Sequence, residues 1–455
     1  MASPKPSPAP SIAPSTTSTE LSTAPQVVPP PAAAVEKRGT DSGKLALFLE
    51  ILKKFRKVTD IAAVRFSLPP RLLEPVPNLE YWNYLDRPEM FASIGDSDDA
   101  LGRMLEVLRF WFTKDLKYVK GKPCKPYNST LGEFFRCNWD VEDNVPPVVE
   151  SSKDHSDVPV EESTKKPVKV SYLTEQTSHH PPVSAFYVDC PEKGITARGF
   201  DQLSASFSGT SIKVTAGEHN RGIFVTLHKR DDEQYRLTHP AATLGGFFRG
   251  SLNVTVADHC YIRCPKTKLM VILHYHEEGW LGKTQNRVEG VVFKYDPENS
   301  KTLDDEKNPK IKDVPEGNIV ARIEGSWRDK LYYTVPNSDT KTVLIDLNPL
   351  FPVAKLIPPE VSQLTNESRR FWAGVTEAIK AGDFDKAASL KLELEQKQRD
   401  KATAREKEGI TWRPRFFENA TDKKGFPELS TDGKKALNGL HTGVFELDES
   451  AKKGA

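Results

Sequence analysis

Between about residues 170 and 335 apolar and polar residues alternate in short runs separated by turn formers. Runs such as "RGIFVTLHKR", "KLMVILHYHE", "RVEGVVFKY" and "NIVARIEGSW" put every second side chain on one face, the pattern of a strand with one side in a core. Such runs follow one another without an intervening helical period. They predict an antiparallel meander, closed or nearly closed into a barrel or sandwich, and argue against an alternating strand–helix sheet. The period changes on either side. In "GKLALFLEILKKFRKV", Phe48, Ile51, Leu52 and Phe55 share one helix face and Glu50, Lys53, Lys54 and Lys57 the other. In "DSDDALGRMLEVLRFWF", the acidic caps Asp98 and Asp99 precede Leu101, Met104, Leu105 and Leu108 at helical spacing. Towards the C-terminus, "TNESRRFWAGVTEAIKAG" and "DFDKAASLKLELEQKQRDKATAREKEG" read as helices that stop at Gly382 and Gly409.

Three stretches lack either period. Residues 1–42 are rich in Pro, Ser, Thr and Ala and are expected to stay unfolded, because they cannot bury enough apolar surface. Residues 144–168 read as a flexible insertion, a long solvated loop, and residues 426–455 as a polar tail. What remains, 43–425, is expected to be one domain, mainly β with α (α+β): an antiparallel meander with helices on either side of it in the chain.

Composition narrows the function. The 455 residues carry a net charge of +1, so no bulk field draws the chain to nucleic acid or to an anionic membrane, and any electrostatic recognition is local. The five cysteines (Cys124, Cys137, Cys190, Cys260, Cys264) are sparse and odd in number, which points to a reducing, cytosolic setting rather than a disulfide framework. Cys260 and Cys264 have poor zinc spacing and read as sheet residues. No apolar run is long enough to span a bilayer, and prolines break any secretory or transit signal near residue 1. The sequon at Asn253 is therefore expected to stay unglycosylated.

The stretch that invites chemistry is "EQTSHHPPVSAF", residues 175–186. A residue before proline is pushed towards extended geometry, and neighbouring side chains in an extended segment point apart, so His179 and His180 converge only if the prolines bend the chain. Four readings stay open on the residues alone. A metal site needs a further ligand, and His259, His274 and His276 lie on predicted strands. Acid–base catalysis wants a nucleophile or paired carboxylate, and no G-x-S-x-G, H-E-x-x-H or carboxylate pair is found. Imidazoles helped by Lys or Arg suit an anion. The plain alternative is a structural histidine at a turn. Likewise Lys391, Glu395 and Arg399 form an i, i+4, i+8 stripe that alone describes a salt-bridged solvent face, and Lys122 and Lys125 alone describe a loop.

"EQTSHHPP" resembles the EQVSHHPP fingerprint of the oxysterol-binding-protein-related lipid-transfer family, with Thr177 the one departure. Further pieces stand in the family's order. "KPYNSTLGEFF" resembles KPxNPxLGE with Ser129 for Pro, "ESRRFWAGVTEAIKAGDFDKA…KLELEQKQR" resembles the family's C-terminal helices, and "GITWRPRFF" resembles GxxWxPRWF with Phe416 for Trp. The likeness covers about residues 44–420, of the short single-domain type. It implies a nearly closed barrel around a hydrophobic tunnel, with an amphipathic lid at 43–68 whose apolar face carries Phe48, Ile51, Leu52 and Phe55. It implies that His179, His180, Lys125, Asn128, Lys391, Glu395 and Arg399 hold the headgroup of phosphatidylinositol 4-phosphate. A sterol, ergosterol or cholesterol, would share the tunnel in exchange; some members carry phosphatidylserine instead. No catalytic residue, cofactor or metal is implied. The protein would be cytoplasmic, touching anionic membrane surfaces transiently at Golgi, endoplasmic-reticulum or plasma-membrane contacts. The contrasting expectations are a histidine-dependent phosphoesterase or hydrolase at the same anion site, and a lipid sensor that does not transport.

Overall fold

The computed structural model describes residues 24–29, 50, 51, 53, 54, 58, 60, 70–121, 125–148, 166–245, 253–277, 285–298 and 308–448. Its strands in chain order are β1 (Gln26–Val28), β2 (Phe134–Val141), β3 (Val168–His179), β4 (Pro182–Cys190), β5 (Ile195–Asp201), β6 (Leu203–Phe207), β7 (Ile212–Ala216), β8 (Ile223–Leu227) and β9 (Glu233–Leu237). They continue with β10 (Ala241–Gly245), β11 (Asn253–Cys264), β12 (Leu269–Tyr275), β13 (Arg287–Lys294), β14 (Ile319–Ser326), β15 (Lys330–Thr334), β16 (Thr342–Asp346) and β17 (Lys355–Ile357). The longer helices are α1 (Ala100–Thr113), α2 (Ser368–Lys380), α3 (Phe384–Glu408) and α4 (Thr431–Thr442).

The main wall is antiparallel throughout. It runs from β1 through β17, β2, β3, β4, β5, β8, β9, β11, β12, β13, β14 and β15 to β16. A branch of β6, β7 and β10 joins it because β11 is long enough to pair twice, with β10 through its first half and with β9 through its second. The edge strands β1 and β16 do not pair with each other among the described residues, so the expected antiparallel barrel is present but its wall is not closed.

Period-2 alternation sets the two faces of this wall. In β12, Leu269, Val271, Leu273 and Tyr275 enter the main core, whereas Met270 and Ile272 join Tyr261, Val291, Phe293 and Ile319 in a separate apolar cluster on the other face. Helix α1 belongs to the main core. Asp99 caps it by accepting a hydrogen bond from Gly102 N at 2.7 Å, as its acidic start predicts. The expected single stripe is exceeded, since eleven of its fourteen residues are buried: Gly102–Leu108 without a break and Phe110–Thr113. Its charges tolerate this because they are satisfied. Arg103 makes a two-pronged pair with Glu233 at 2.8 and 2.9 Å, and Glu106 accepts from Gly95 N, Ser97 N and Ser97 Oγ.

Two stretches read as unpatterned are folded. Gln26–Val28, within the segment expected to stay unfolded, pairs with β17, whose edge accepts this β-branched run, and Val28 is buried. Thr431–Thr442, within the expected polar tail, is a helix capped by Ser430 whose Ala436, Leu437 and Leu440 pack against β2 and β3. Its polar residues lie on the outer face and mask a three-residue apolar stripe. Of the expected lid, Phe48, Leu52 and Phe55 lie outside the described residues. Ile51 packs beside Leu73, Tyr127, Trp372 and Val375, and Asp60 accepts a hydrogen bond from Ala205 N in β6 at 2.9 Å. No helix among the described residues is long and apolar enough to cross a membrane.

Because Leu440 is fully buried, Leu440→Ala should lower unfolding free energy by about 2–4 kcal/mol in a denaturant titration. A solvent-tail role for 426–455 would instead leave the midpoint unmoved.

Candidate functional site

β3 and β4 form a tight hairpin in which His179 pairs with Pro182, leaving His180 and Pro181 as the turn. The bend the prolines were expected to supply is therefore present. The two imidazoles are exposed at the hairpin tip with ring centroids 4.5 Å apart and planes at 57°. The ladder slips at Thr177, between Gln176 and Ser178. Thr177, the departure from the fingerprint, is buried, and its hydroxyl donates to Ala420 O at 2.6 Å. The threonine thus ties the hairpin to the C-terminal segment. Gln176 stiffens the approach: its amide donates to Ser178 O at 2.6 Å and accepts from Ser184 Oγ at 2.8 Å.

Lys125 and Asn128 lie in the loop before β2, joined by a 2.6 Å hydrogen bond from Nζ to Oδ1. Lys391 and Glu395 are joined along one turn of α3 by a 2.7 Å ion pair, with Lys391 itself mostly buried. Arg399, one turn further on, donates to Gln396 Oε1 at 3.1 Å on the exposed helix surface. The stripe read from the sequence is therefore real. Its first two members couple to each other, and the third couples within its own helix.

Buried contacts hold these three segments together. Gly132 N donates to Gln176 O at 3.0 Å and Gln176 N donates to Glu133 O at 2.8 Å, so the Lys125 loop is sewn to the hairpin three residues before His179. On the other side Tyr127 stacks on Trp372 at 4.7 Å and shares a 3.0 Å hydrogen bond with Thr376. Leu390 and Leu394, which flank Lys391 on α3, pack on that same Tyr127–Trp372 cluster. The Lys125 loop is thus the middle layer between hairpin and helix.

Two carboxyl groups that sequence reading passed over fix this arrangement. Glu133 accepts from Thr130 N at 3.0 Å, Ser368 Oγ at 2.7 Å and Trp372 Nε1 at 3.1 Å, joining the loop and α2 at one point. Glu175, the first residue of the fingerprint, accepts from the backbone amides of Arg415 and Phe416 at 2.9 and 2.8 Å. Burial pushes each of these carboxyls up to about 7, outweighing the donors that favour the charged form. A third latch, Glu80, behaves oppositely: burial opposes its charge, but Lys355 and Arg369 together hold it down at about 2. The available signal for Glu133 was a lone acid inside an apolar run, "LGEFF"; Glu175, between Thr174 and Gln176, carried no such signal.

Solved structures of the same fold are lipid-binding domains. The Osh1 ORD domain in complex with ergosterol superposes with a TM-score of 0.62 at 17% identity, covering 94% of each chain. The Osh3 ORD of Saccharomyces cerevisiae in complex with PI(4)P superposes with a TM-score of 0.60 at 18% identity, covering 92% of this chain and 98% of that one. These likenesses establish the fold. Sequence establishes the family. The family model described as Oxysterol-binding protein matches residues 51–377 and 376–436. Oxysterol-binding protein-like protein 1 of Schizosaccharomyces pombe is 42% identical over 484 residues, 89% of this chain and 92% of that protein. Human oxysterol-binding protein-related protein 9 is 30% identical over 381 residues, 82% of this chain and 46% of that protein. The chain belongs to the oxysterol-binding protein family, whose members bind and transfer lipids and are not enzymes.

The raised carboxyls carry a sign that can be measured. Above about pH 4.5 the unfolded chain releases protons that folded Glu133 and Glu175 keep, so these groups make stability fall between about pH 4.5 and 7, then level off. Glu133→Gln should flatten that slope by about one proton equivalent in denaturant titrations at stepped pH. An unchanged slope would show that Glu133 is ionised in the folded state.

Proposed function

We propose that this protein carries phosphatidylinositol 4-phosphate and a sterol in turn within one barrel interior and exchanges them between membranes. The observation that carries the reading is the layered surface just described, on a fold that relatives use with ergosterol, cholesterol and PI(4)P. In it His179 and His180 meet the headgroup phosphate from the hairpin tip. Lys125 and Lys391 supply point charge, Arg399 a planar fork, and Asn128 and Glu395 accept from inositol hydroxyls. Each lysine is already held by its own polar neighbour, Asn128 or Glu395, so it is positioned before the ligand arrives. The exchange between these partners and a phosphate favours the phosphate. A helix i, i+4 pair is worth about 0.3–0.5 kcal/mol, whereas a hydrogen bond to a charged group is worth about 1.5–3 kcal/mol. Sterol and phosphoinositide would compete for the same interior, which lets one lipid travel out and the other back. The lid at 43–68 would cover either lipid and re-expose its apolar face, with its lysines, at an anionic surface. The protein would work in the cytoplasm as a peripheral visitor to membranes.

Incubation of the protein with mixed-lipid vesicles, re-isolation and mass spectrometry of the bound lipid tests this. Wild type should extract both lipids, and His179→Ala/His180→Ala should lose phosphoinositide about a hundredfold while keeping the sterol. Co-extraction of phosphatidylserine in place of sterol would remove the sterol half of the proposal. Equal phosphoinositide loading by the double variant would remove the histidines from the site, and release of inorganic phosphate over time would return the enzyme reading.

A further inference from the structure

On the outer wall of the barrel, away from the headgroup surface, four residues form a second polar cluster. The register places His259 of β11 opposite His274 of β12, and His274 opposite Glu289 of β13. His276 lies two residues beyond His274 on the same face, its backbone amide continuing the ladder to Arg287 O at 3.1 Å. The face is fixed by the neighbours. Tyr261, Ile272 and Val291, each two residues along the strand from His259, His274 and Glu289 respectively, belong to the outer apolar cluster. Cys260, Leu273, Tyr275 and Val288, which alternate with these positions, point into the main core.

The donor atoms of His274, His276 and Glu289 all lie within 4.8 Å of one another. Oε1 of Glu289 is 3.4 Å from His274 Nδ1 and 3.3 Å from His276 Nε2. Ligand atoms about 2.0–2.1 Å from a tetrahedral zinc ion are themselves about 3.3–3.4 Å apart, so this spacing is the edge of such a tetrahedron. His276 Nε2 is enclosed and makes no hydrogen bond despite that short approach. Nδ1 of His274 is within long hydrogen-bond reach of Glu289 Oε1, whereas His276 Nε2 has no such partner and borders the same carboxylate oxygen. His259 stacks on His274 with centroids 4.3 Å apart and planes 6° apart, and its Nδ1 lies 3.2 Å from Asp258 Oδ1. It therefore orients the His274 ring. The next carboxylate along the rung, Glu324, is taken by Lys341 at 2.6 Å, which leaves Glu289 as the acid facing the imidazoles.

We infer that His274, His276 and Glu289 form a binding site for a first-row divalent cation, zinc above all, clamping β12 to β13 on the face opposite the main core. Two imidazoles and a carboxylate suit such borderline ions and leave a fourth position for water. Since the site faces away from the core, metal binding is independent of the headgroup surface.

The test uses the full chain after dialysis against chelator, with ZnCl2 followed by calorimetry and CoCl2 by visible absorption. Wild type should bind one equivalent of zinc, give the strong bands of tetrahedral cobalt, and gain thermal stability. His274→Ala/His276→Ala should weaken zinc binding about a hundredfold or more, and Glu289→Gln by about tenfold, with near-ultraviolet dichroism unchanged. His179→Ala/His180→Ala should bind zinc as wild type does. In the unmutated protein, zinc should also protect His274 and His276 from diethylpyrocarbonate, read by peptide mass spectrometry, so the result does not depend on a variant folding. Absence of zinc binding by wild type, undiminished binding by His274→Ala/His276→Ala, or loss of binding in His179→Ala/His180→Ala would each overturn the inference.

Discussion

The carboxyl group of Glu133 stands where three parts of the chain meet. It gathers hydrogen bonds from a loop amide, a helix hydroxyl and an indole, while its own backbone carbonyl takes the amide of Gln176. Removing one partner from such a point leaves buried donors unsatisfied, at about 1–3 kcal/mol each, more than any surface pair nearby contributes. The headgroup surface depends on this interior bond set. His179, His180, Lys125 and Arg399 are exposed and Lys391 is buried, and Glu133, Glu175 and the Tyr127–Trp372 stack hold the segments that carry them in layers.

This division would let the proposed headgroup surface exchange ligands without loosening the fold. The frame is buried: burial pushes the Glu133 and Glu175 carboxyls up to about 7, and the charge of Glu80 is paired with Arg369 and Lys355. The Lys125–Asn128 contact lies at the surface, and the Lys391–Glu395 pair joins a buried lysine to a half-buried glutamate. They hold side chains ready and yield to a stronger acceptor. Thr177 belongs to the frame and not to the surface, since its hydroxyl is spent on Ala420.

Much of the fold was legible because a meander is a local pattern. Alternation in "KLMVILHYHE" or "NIVARIEGSW" follows directly from a strand with one face in a core, and the caps of α1 and α3 follow from backbone donors that need an acceptor. Less legible were elements whose stability comes from a partner. β1 is three residues that exist as a strand because β17 offers an edge, and α4 carries its apolar stripe amid polar residues. The full burial of α1 was hidden for a related reason: Arg103 and Glu106 look like solvent residues until Glu233 and the Gly95–Ser97 turn are beside them. The same holds for His274, His276 and Glu289, which no sequence spacing joins and which a three-strand register brings within reach.

The sequence by itself determined the strand and helix periods and the family, through its HHPP, KPYN and SRRFW stretches. These are properties of residue type and near spacing. Tertiary structure decided which acids carry the frame, which edges stay open, and which distant histidines share a face. Such outcomes follow from burial and cross-strand register, and both depend on residues far apart in the chain.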